Sequence, residues 1–182
     1  MKKNLQSCFL LAAALLLFSV TKIQAQTAAP TVMHQKDMIG DNPTADADIK
    51  TVSDFTNALV SGDIDKAKSF LTDKCINYGP GPADSANVAQ FVAHWQENYK
   101  MQSNRKVNFV AESFNVKSGD LQGNWVAAWG DYTFTSNGIT VKFPYQCSYH
   151  VTNGKIDSSR IYYDQLYIVQ KLGFTLTPPA SK

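Results

Sequence analysis

The chain has 182 residues, with 17 Lys and Arg against 15 Asp and Glu, a formal net charge of +2 and a pI of about 8.4. Its first 25 residues contain three Lys and no acidic residue, so the remainder carries 14 basic and 15 acidic side chains. No run of Lys or Arg in that remainder indicates a nucleic-acid or membrane surface, and its length suits one domain with one core.

Residues 1–25 have the pattern of a secretory signal peptide. Lys2 and Lys3 form a basic start, residues 9–20 are apolar, and Ala25 stands at a suitable cleavage point before Gln26. The apolar run has 12 residues, fewer than the roughly 20 that a membrane-spanning helix needs. An uncleaved membrane anchor is the alternative interpretation. The pattern predicts a secreted or periplasmic protein whose mature form does not bind membranes.

The mature chain retains two cysteines, Cys75 and Cys147. In an oxidising compartment they can pair, but a free Cys is among the most buried residue types, and two cysteines do not make a disulfide scaffold. No His, Cys or Asp cluster has the spacing of a metal site, because His34, His94 and His150 are isolated in the sequence. We therefore predict neither a metal nor a cofactor.

After the signal peptide, residues 26–45 are rich in Ala, Thr, Pro and Asp and are predicted to form a flexible lead-in. An amphipathic helix is predicted over about residues 46–60, because apolar side chains recur at helical spacing at Ile49, Val52, Phe55 and Leu59. Gly62 ends this helix, since glycine accepts the left-handed conformation beyond a helix terminus.

Two further helices are predicted before the strands begin. Asp63 caps the second helix, whose apolar face consists of Ile64, Ala67, Phe70 and Leu71. A Gly- and Pro-rich break covers residues 78–82, and Asp84 or Ser85 starts the third helix. One side of the third helix carries Val88, Phe91, Val92, Trp95, Tyr99 and Gln102.

Four β-rich segments fill the rest of the chain, at about residues 106–117, 124–135, 139–152 and 155–169, before a tail at 175–182. The Asn-Gly pairs at 137–138 and 153–154 suit two-residue hairpin turns, because both central residues need positive φ. Consecutive strands joined by tight turns predict an antiparallel meander, and helices followed by strands predict an α+β fold.

Alternation along residues 139–152 sets the predicted register, since apolar or aromatic odd positions alternate with mostly polar even positions. A tight turn at 153–154 pairs Cys147 with Arg160, Tyr145 with Tyr162, and Phe143 with Asp164, so all six are predicted to face the helices. A one-residue slip would reverse this assignment. An Arg and an Asp on a covered face require either a cavity or a place near the sheet rim, because buried charge is costly.

The turn at 137–138 gives the register of the preceding strand. It sends Trp125, Trp129 and Asp131 to the outer face of the sheet. Its inward residues are Val126, Ala128, Tyr132 and Phe134. Two tryptophans on an outer face are candidates for a homodimer interface.

Short motifs accompany this order of elements: Trp-Gly-Asp-Tyr at 129–132, Val-Lys-Phe-Pro-Tyr at 141–145, Asn-Gly-Lys-Ile at 153–156, Tyr-Tyr-Asp at 162–164 and Gln-Lys-Leu-Gly at 170–173. With them, residues 46–174 resemble the SnoaL-like proteins of the nuclear transport factor 2-like superfamily. The resemblance implies three N-terminal helices packed on a curved antiparallel sheet of four to six strands, shaped as a cone with a pocket at its open end. Members include isomerases, cyclases, hydrolases and pure binding domains, so the resemblance is informative for fold and loose for function.

The resemblance also implies site residues. Asp164 matches the Asp of the last strand, which serves as a general base in some members, and an apolar setting would raise the pKa of its carboxyl group. Tyr145 or Tyr162 can donate a hydrogen bond to a developing oxyanion. Many secreted relatives carry a His-Asp pair where this chain has Gln146 and Cys147, which weakens the enzyme interpretation.

The predicted ligand-binding residues share an aromatic or polar side chain near the expected pocket: Tyr78, Phe91, Trp95, Tyr99, Tyr132, Phe143, Tyr145, Cys147, Arg160, Tyr162 and Asp164. The candidate catalytic residues among them are Asp164 and Tyr162. For each, an ordinary structural role is the alternative, such as a core aromatic or a rim Arg with a packed stem.

Three functions follow from these expectations. The first is an exported module that binds a small, largely apolar molecule in an aromatic-lined pocket. The second is a cofactor-independent acid–base enzyme, isomerase- or cyclase-like, with Asp164 as base. The third is a dimeric interaction domain that uses the outer sheet face around Trp125 and Trp129.

Overall fold

The computed structural model of the protein describes residues 35–177. The predicted signal peptide and His34 lie outside the described residues. The helices are α1 (Gln35–Met38), α2 (Ala45–Ser61), α3 (Ile64–Ser69), α4 (Val88–Met101) and α5 (Gln165–Lys171). The strands are β1 (Ile39–Gly40), β2 (Leu71–Tyr78), β3 (Ser85–Asn87), β4 (Ser103–Val116), β5 (Gly123–Ser136), β6 (Ile139–Thr152) and β7 (Lys155–Tyr163).

The strands form one seven-stranded sheet in the order β1-β4-β5-β6-β7-β2-β3. Strands β4 to β7 are the predicted antiparallel meander, which confirms the α+β fold. The predicted extent of the fourth strand is wrong, because β7 ends at Tyr163 and residues 165–171 form helix α5. The sheet also has more strands than the four to six predicted. Both Asn-Gly turns have positive φ at each central residue, with Asn137 at 49° and Asn153 at 52°. The sheet extends beyond the meander, because β2 pairs in parallel with β7 and β3 pairs with β2.

Helix α2 matches its prediction closely. Its buried apolar side chains include Val52, Phe55 and Leu59, which pack on the sheet. Gly62 ends it at φ 98°, and the Asp63 carboxylate caps α3 by accepting a hydrogen bond from the Lys66 N–H.

Two predicted helix boundaries are wrong. Helix α3 ends at Ser69, and Leu71 begins strand β2, because Leu71, Cys75 and Asn77 face the core at strand spacing. Helix α4 begins at Val88 rather than near Asp84, after a capping box in which Asn87 and the Gln90 side chain satisfy each other's backbone N–H groups.

The register between β5 and β6 is the predicted one over its whole length, from Asn124 opposite Val151 to Ser136 opposite Ile139. Val126 and Ala128 are therefore buried, whereas Trp129 lies on the outer face and is 42% exposed. Tyr132 and Phe134 also face inward, where both pack against the core.

The register between β6 and β7 departs from the prediction at a β-bulge. Thr152 faces Lys155 as expected, but after Asp157 the pairing slips by one residue, so that Cys147 faces Ile161. The Asp157 carboxylate accepts the Thr152 hydroxyl at 2.9 Å and lies 2.6 Å from His150 Nδ1. Because an extra residue in one strand reverses every later side chain, the bulge changes which residues of β7 face inward.

The predicted flexible lead-in is ordered from Gln35 onward. Strand β1 pairs with the end of β4, and Asn42 is buried. The Asn42 amide donates to Asp48 Oδ2 at 2.8 Å and to Ser113 Oγ at 2.7 Å. These bonds attach the segment to α2 and β4, an arrangement that composition alone does not indicate.

Candidate functional site

The candidate site is the inner surface of the sheet under helix α4, here called the aromatic face. Its members are Phe91, Trp95 and Tyr99 from α4, and Tyr132, Phe143, Tyr145, Cys147, Tyr149 and Tyr163 from the sheet. Strand β6 supplies four of them because its odd positions point inward and are buried from Val141 to Val151. The site is thus built on the strand whose alternation is clearest in the sequence.

Ring contacts connect the helix to the sheet. The Trp95 ring lies 6.3 Å from that of Tyr132 and 5.8 Å from that of Tyr99. The Phe143 ring lies 5.7 Å from Tyr132 and 5.4 Å from Tyr163. Edge-to-face and tilted pairs at these separations are favourable, so the aromatic face is a continuous cluster.

Helix α4 covers this cluster incompletely, since none of its residues is fully buried. Its C-terminal end is fixed by polar contacts: the Tyr99 hydroxyl donates to the Leu59 carbonyl at 2.7 Å, and Arg105 donates to the carbonyls of Val60 and Gln102. The Arg105 guanidinium also lies 4.7 Å from the Tyr99 ring centroid. One cation therefore caps the C-terminal ends of both α2 and α4.

Gly130 shapes the sheet beside Tyr145. It lies opposite Tyr145 on one side and Phe109 on the other, on the inward side of β5. A Cβ atom at Gly130 would stand 1.9 Å from the Asn108 carbonyl oxygen, so no larger residue fits this backbone. Because Gly130 has no side chain, no side chain of β5 lies directly opposite Tyr145 on the inner face of the sheet.

Burial controls the ionisation of the site. Desolvation raises the pKa of Tyr132, Tyr145 and Tyr149, and it raises the pKa of Cys147 to about 12. The pKa of Tyr163 is raised first by desolvation and then by the charge of Asp84. At neutral pH all of these groups are protonated and uncharged, and a protonated thiol is a poor nucleophile.

Seven of the predicted site residues come together on the aromatic face: Phe91, Trp95, Tyr99, Tyr132, Phe143, Tyr145 and Cys147. Sequence reasoning missed Tyr163, which the bulge turns inward. Tyr149 was predicted to face the helices but was not chosen as a site residue, although the alternation along β6 marks it as clearly as Tyr145.

The other four predicted site residues lie elsewhere. Arg160 and Tyr162 follow the bulge and face outward, and Tyr162 is 52% exposed. Tyr78 shares that outer face, where the Arg160 guanidinium lies 4.5 Å from its ring centroid. Asp164 is exposed beyond the end of β7, and its carboxylate caps α5 by accepting the Tyr167 N–H at 2.8 Å. The predicted pairs of Arg160 with Cys147 and of Asp164 with Phe143 are wrong.

A separate groove of about 600 Å³ lies on the surface beside the start of α4, where it is lined by Lys68, Asp73, Asn87, Val88, Ala89 and Val92. It contains no member of the aromatic face. Its polar side chains are exposed, and Asn87 already serves as the helix cap. We therefore take the aromatic face, rather than this groove, as the candidate site.

The outer face of the sheet carries a second feature. Val110, Trp129, Gln146 and Tyr162 form one row across β4, β5, β6 and β7. Three of the four are large apolar side chains with exposures of 57%, 42% and 52%. Trp125 is less available, because its ring packs on His150 and its Nε1 donates to the Leu121 carbonyl.

The fold and this site define a class, the α+β domains in which helices cover one face of a curled, unclosed sheet. The SnoaL-like domain model matches residues 52–158, more than half of the chain, and the chain belongs to this family. None of the curated proteins matches it.

Solved structures agree with this fold. PrhC from Penicillium brasilianum aligns with a TM-score of 0.60 at 14% identity, over 71% of this chain and 87% of its own. An LEH-like epoxide hydrolase from M. tuberculosis gives a TM-score of 0.57 at 17% identity, over 71% of this chain and 92% of its own. A nuclear transport factor 2-like protein from Burkholderia xenovorans gives 0.55 at 21% identity, over 71% and 98%.

No helix within residues 35–177 is long and apolar enough to span a bilayer. No group of three or more His, Cys, Asp or Glu side chains lies close enough there to hold a metal ion.

Proposed function

We propose that this protein binds a small, uncharged, largely apolar molecule on the aromatic face. The observation that carries the proposal is the uncharged sheet side of the aromatic face: as described in residues 35–177, it consists of aromatic rings, phenols and a thiol, and burial keeps its phenols and Cys147 protonated. The Arg105 guanidinium, which lies over Tyr99 at the helix end, is already bonded to two carbonyls. An ionic ligand would lose its hydration there without gaining a counter-ion, at a cost of several kcal/mol. Apolar rings with a few hydrogen-bonding groups are typical of small-molecule sites.

The protonated state of these buried groups also favours a binding function over acid–base catalysis. A general base needs a pKa near the working pH, whereas these phenols and the Cys147 thiol have raised pKa values and hold their protons. Asp164 caps α5, so its carboxylate is engaged away from the rings. Asp84 is the acidic residue whose charge acts on Tyr163, but it is exposed in the loop before β3.

A matched pair of fluorescent probes tests the proposal. N-phenyl-naphthylamine is neutral, and anilinonaphthalene sulfonate has the same ring system with one added anionic group. We expect the neutral dye to bind the purified mature protein and the sulfonate to bind at least about tenfold more weakly, because its charge has no partner. Equal binding of the two dyes, or no binding of the neutral dye, would contradict the proposal.

Two tryptophan variants locate the dye. Trp95 belongs to the aromatic face, and Trp129 lies on the opposite face of the sheet. Trp95→Ala should weaken binding of the neutral dye by about tenfold, since it removes a large ring from the site. Trp129→Ala is the matched control and should leave the affinity unchanged. The reverse pattern would assign the dye to the outer face.

The export of this binding domain is part of the proposal. Its support is the leader pattern of residues 1–25, with Lys2, Lys3 and the apolar run before Ala25. Expression of the full chain in a bacterial host, followed by mass measurement of the protein in the periplasm and medium, tests it. A product beginning at Gln26 is expected, and full-length protein retained in the cytoplasm would argue against export.

A homodimer through the outer face is a second candidate function, favoured by the exposed row of Val110, Trp129 and Tyr162. A two-fold axis between β5 and β6, parallel to the strands, would bring Val110 opposite Tyr162 of the second copy. It would also bring Glu112 opposite Arg160, because these two residues end the neighbouring cross-strand row.

Charge exchange tests this dimer. Glu112→Lys or Arg160→Glu alone should weaken the dimer in analytical ultracentrifugation, and the double variant should restore it, because opposite charges then face each other again. Trp129→Lys should give a monomer. A wild-type protein that is monomeric at all concentrations would rule the dimer out.

A further inference from the structure

Strand β4 has a long open edge. The strand is 14 residues long, and β5 pairs with one side of it as far as Val116. On the other side, β1 pairs only with Asn115 and Val116, so within residues 35–177 no strand covers the edge from 103 to 114. Such an edge presents a row of backbone N–H and C=O groups that can pair with another strand.

The hairpin turn at 137–138 determines which backbone groups of β4 point to this edge. Because the turn has two residues, Ser136 and Ile139 form a hydrogen-bonded pair, so the even residues of β5 bond to β6 and the odd ones bond to β4. Odd residues of β5 lie opposite even residues of β4, and the odd residues of β4 therefore direct their N–H and C=O groups to the open edge. The Lys117 N–H agrees with this alternation, because it donates to the Met38 carbonyl at 2.9 Å on that same side.

The side chains along the open edge differ between the two faces of the sheet. The inner face has three partly buried apolar residues, Val107, Phe109 and Ala111, which pack against the core. The outer face has Lys106 and Glu112, which are both exposed. Neither of these two charged residues forms an ion pair within the part of the chain that the structure describes. The edge therefore offers backbone groups, apolar side chains and two unpaired charges of opposite sign.

This arrangement is complementary to itself. When two antiparallel copies of β4 pair about a two-fold axis at Phe109, Lys106 of each copy lies directly opposite Glu112 of the other. An axis one residue away, at Asn108 or Val110, places a neutral residue opposite each charge. Only the axis at Phe109 therefore combines backbone pairing with two ion pairs.

We propose that two copies of this protein pair edge to edge through β4, centred on Phe109, so that their sheets join into one continuous sheet. Val107, Phe109 and Ala111 then form hydrogen-bonded pairs with Ala111, Phe109 and Val107 of the second copy. This inference goes beyond the proposed ligand binding and does not depend on it. It also differs from the dimer through the outer face, in which Glu112 lies opposite Arg160 rather than Lys106.

Charge exchange identifies the partner of Glu112. In analytical ultracentrifugation of the mature protein, Lys106→Glu or Glu112→Lys alone should raise the Kd of the dimer by at least about tenfold, because like charges then face each other in two symmetry-related places. The double variant should restore the wild-type Kd. Arg160→Glu is the matched control and should leave the Kd unchanged. A wild-type protein that is monomeric at all concentrations, or a dimer that is weakened by Arg160→Glu and not by Lys106→Glu, would overturn the proposal.

Proline substitutions test the backbone pairing. The Ala111 N–H points to the open edge, so Ala111→Pro removes a hydrogen bond of the dimer and none to β5. We expect this variant to be a monomer with the circular dichroism spectrum of the wild type. Val110→Pro removes a bond to β5 instead and should lower the Tm. A folded Ala111→Pro protein with the wild-type Kd would show that this edge is not the interface.

Hydrogen exchange distinguishes a second copy from any other cover of the edge. The Phe109 N–H should exchange slowly when the protein is dimeric and quickly after dilution below the Kd. The Val110 N–H bonds to β5 and should stay protected at both concentrations. Protection of the Phe109 N–H that does not change on dilution would assign the edge to a segment of the same chain and overturn the proposal.

Discussion

Replacement of Asn42 by Ala tests whether the segment before α2 is held as firmly as its contacts indicate. The Asn42 amide group donates to Asp48 and to Ser113, and its side-chain oxygen accepts the Thr44 N–H at 2.9 Å. These three bonds, and a fourth from the Thr44 hydroxyl to the Asn42 side-chain oxygen at 3.0 Å, are lost in Asn42→Ala. The buried Asp48 carboxylate then keeps the Thr44 hydroxyl at 2.7 Å and the more distant Asn124 amide at 3.4 Å.

The expected loss of stability follows from these contacts. A hydrogen bond to a charged group contributes about 1.5–3 kcal/mol, and a neutral one contributes about 0.5–1.5 kcal/mol. Because such contributions are not additive, we expect a loss of about 3 kcal/mol in the free energy of unfolding. For a domain of this size, that loss lowers the Tm by about 6–12 °C.

Thermal and urea unfolding followed by circular dichroism measure the effect. Asp41→Ala is the matched control, because Asp41 is the adjacent residue and is exposed, so its replacement should change stability by less than about 0.5 kcal/mol. An Asn42→Ala protein as stable as the Asp41→Ala control would refute the reasoning. The predicted flexibility of residues 26–45 would then be correct for this segment.

Three further predictions concern the helix ends that Arg105 caps, the two buried thiols and Gly130 in β5. Arg105→Met should cost about 2 kcal/mol in urea unfolding, because it uncovers carbonyls at the ends of both α2 and α4; an unchanged midpoint would argue against a capping role. Burial raises the pKa of Cys75 and Cys147 from 9.0 to about 12, so the unfolded chain releases these protons first. The two protonated thiols therefore contribute fully to the free energy of unfolding below pH 9, and this contribution is lost as the pH rises towards 12. A variant with both cysteines replaced by Ala should lose less free energy of unfolding between pH 9 and 10 than the wild type; equal losses would contradict this. Gly130→Ala should lower the free energy of unfolding by about 3 kcal/mol or more, because the new Cβ atom meets the backbone of β4. Gly40→Ala should be tolerated, because its Cβ atom meets only the flexible side chain of Lys117. Equal stability of the two variants would contradict this account.

Local patterns predicted much of the fold. The apolar spacing of α2, the glycine after it and the two Asn-Gly turns depend on neighbours within a few residues, so the sequence carries them directly. The β5–β6 register followed from the same information, since a two-residue turn and clean alternation leave one pairing that buries the apolar side. Helical spacing in α4 and alternation in β5 and β6 therefore predicted seven residues of the aromatic face.

The bulge at Asp157 is the feature that limited prediction of the site. It depends on contacts between Asp157 and two residues of the neighbouring strand, His150 and Thr152. The turn at 153–154 does not indicate it, and the signal in β7 itself is indirect: the unbulged register places Arg160 on the covered face, whereas the bulged register places Ile161 there. One inserted residue therefore turned Arg160 and Tyr162 outward and Tyr163 inward.

The sequence alone determined the family, the antiparallel meander of β4 to β7 and the aromatic character of the inner face. These properties are set by composition, short-range periodicity and turn chemistry. The predicted order of helices followed by strands is only partly correct, because β1 to β3 lie between helices and α5 follows β7. Only the tertiary structure decided that β2 joins the sheet in parallel with β7, that the bulge in β7 turns Arg160 outward and Tyr163 inward, and that Tyr145 keeps an unpaired hydroxyl. These properties depend on which side chains from distant segments meet, and a hydrogen bond or a desolvated group exists only once those segments have packed together.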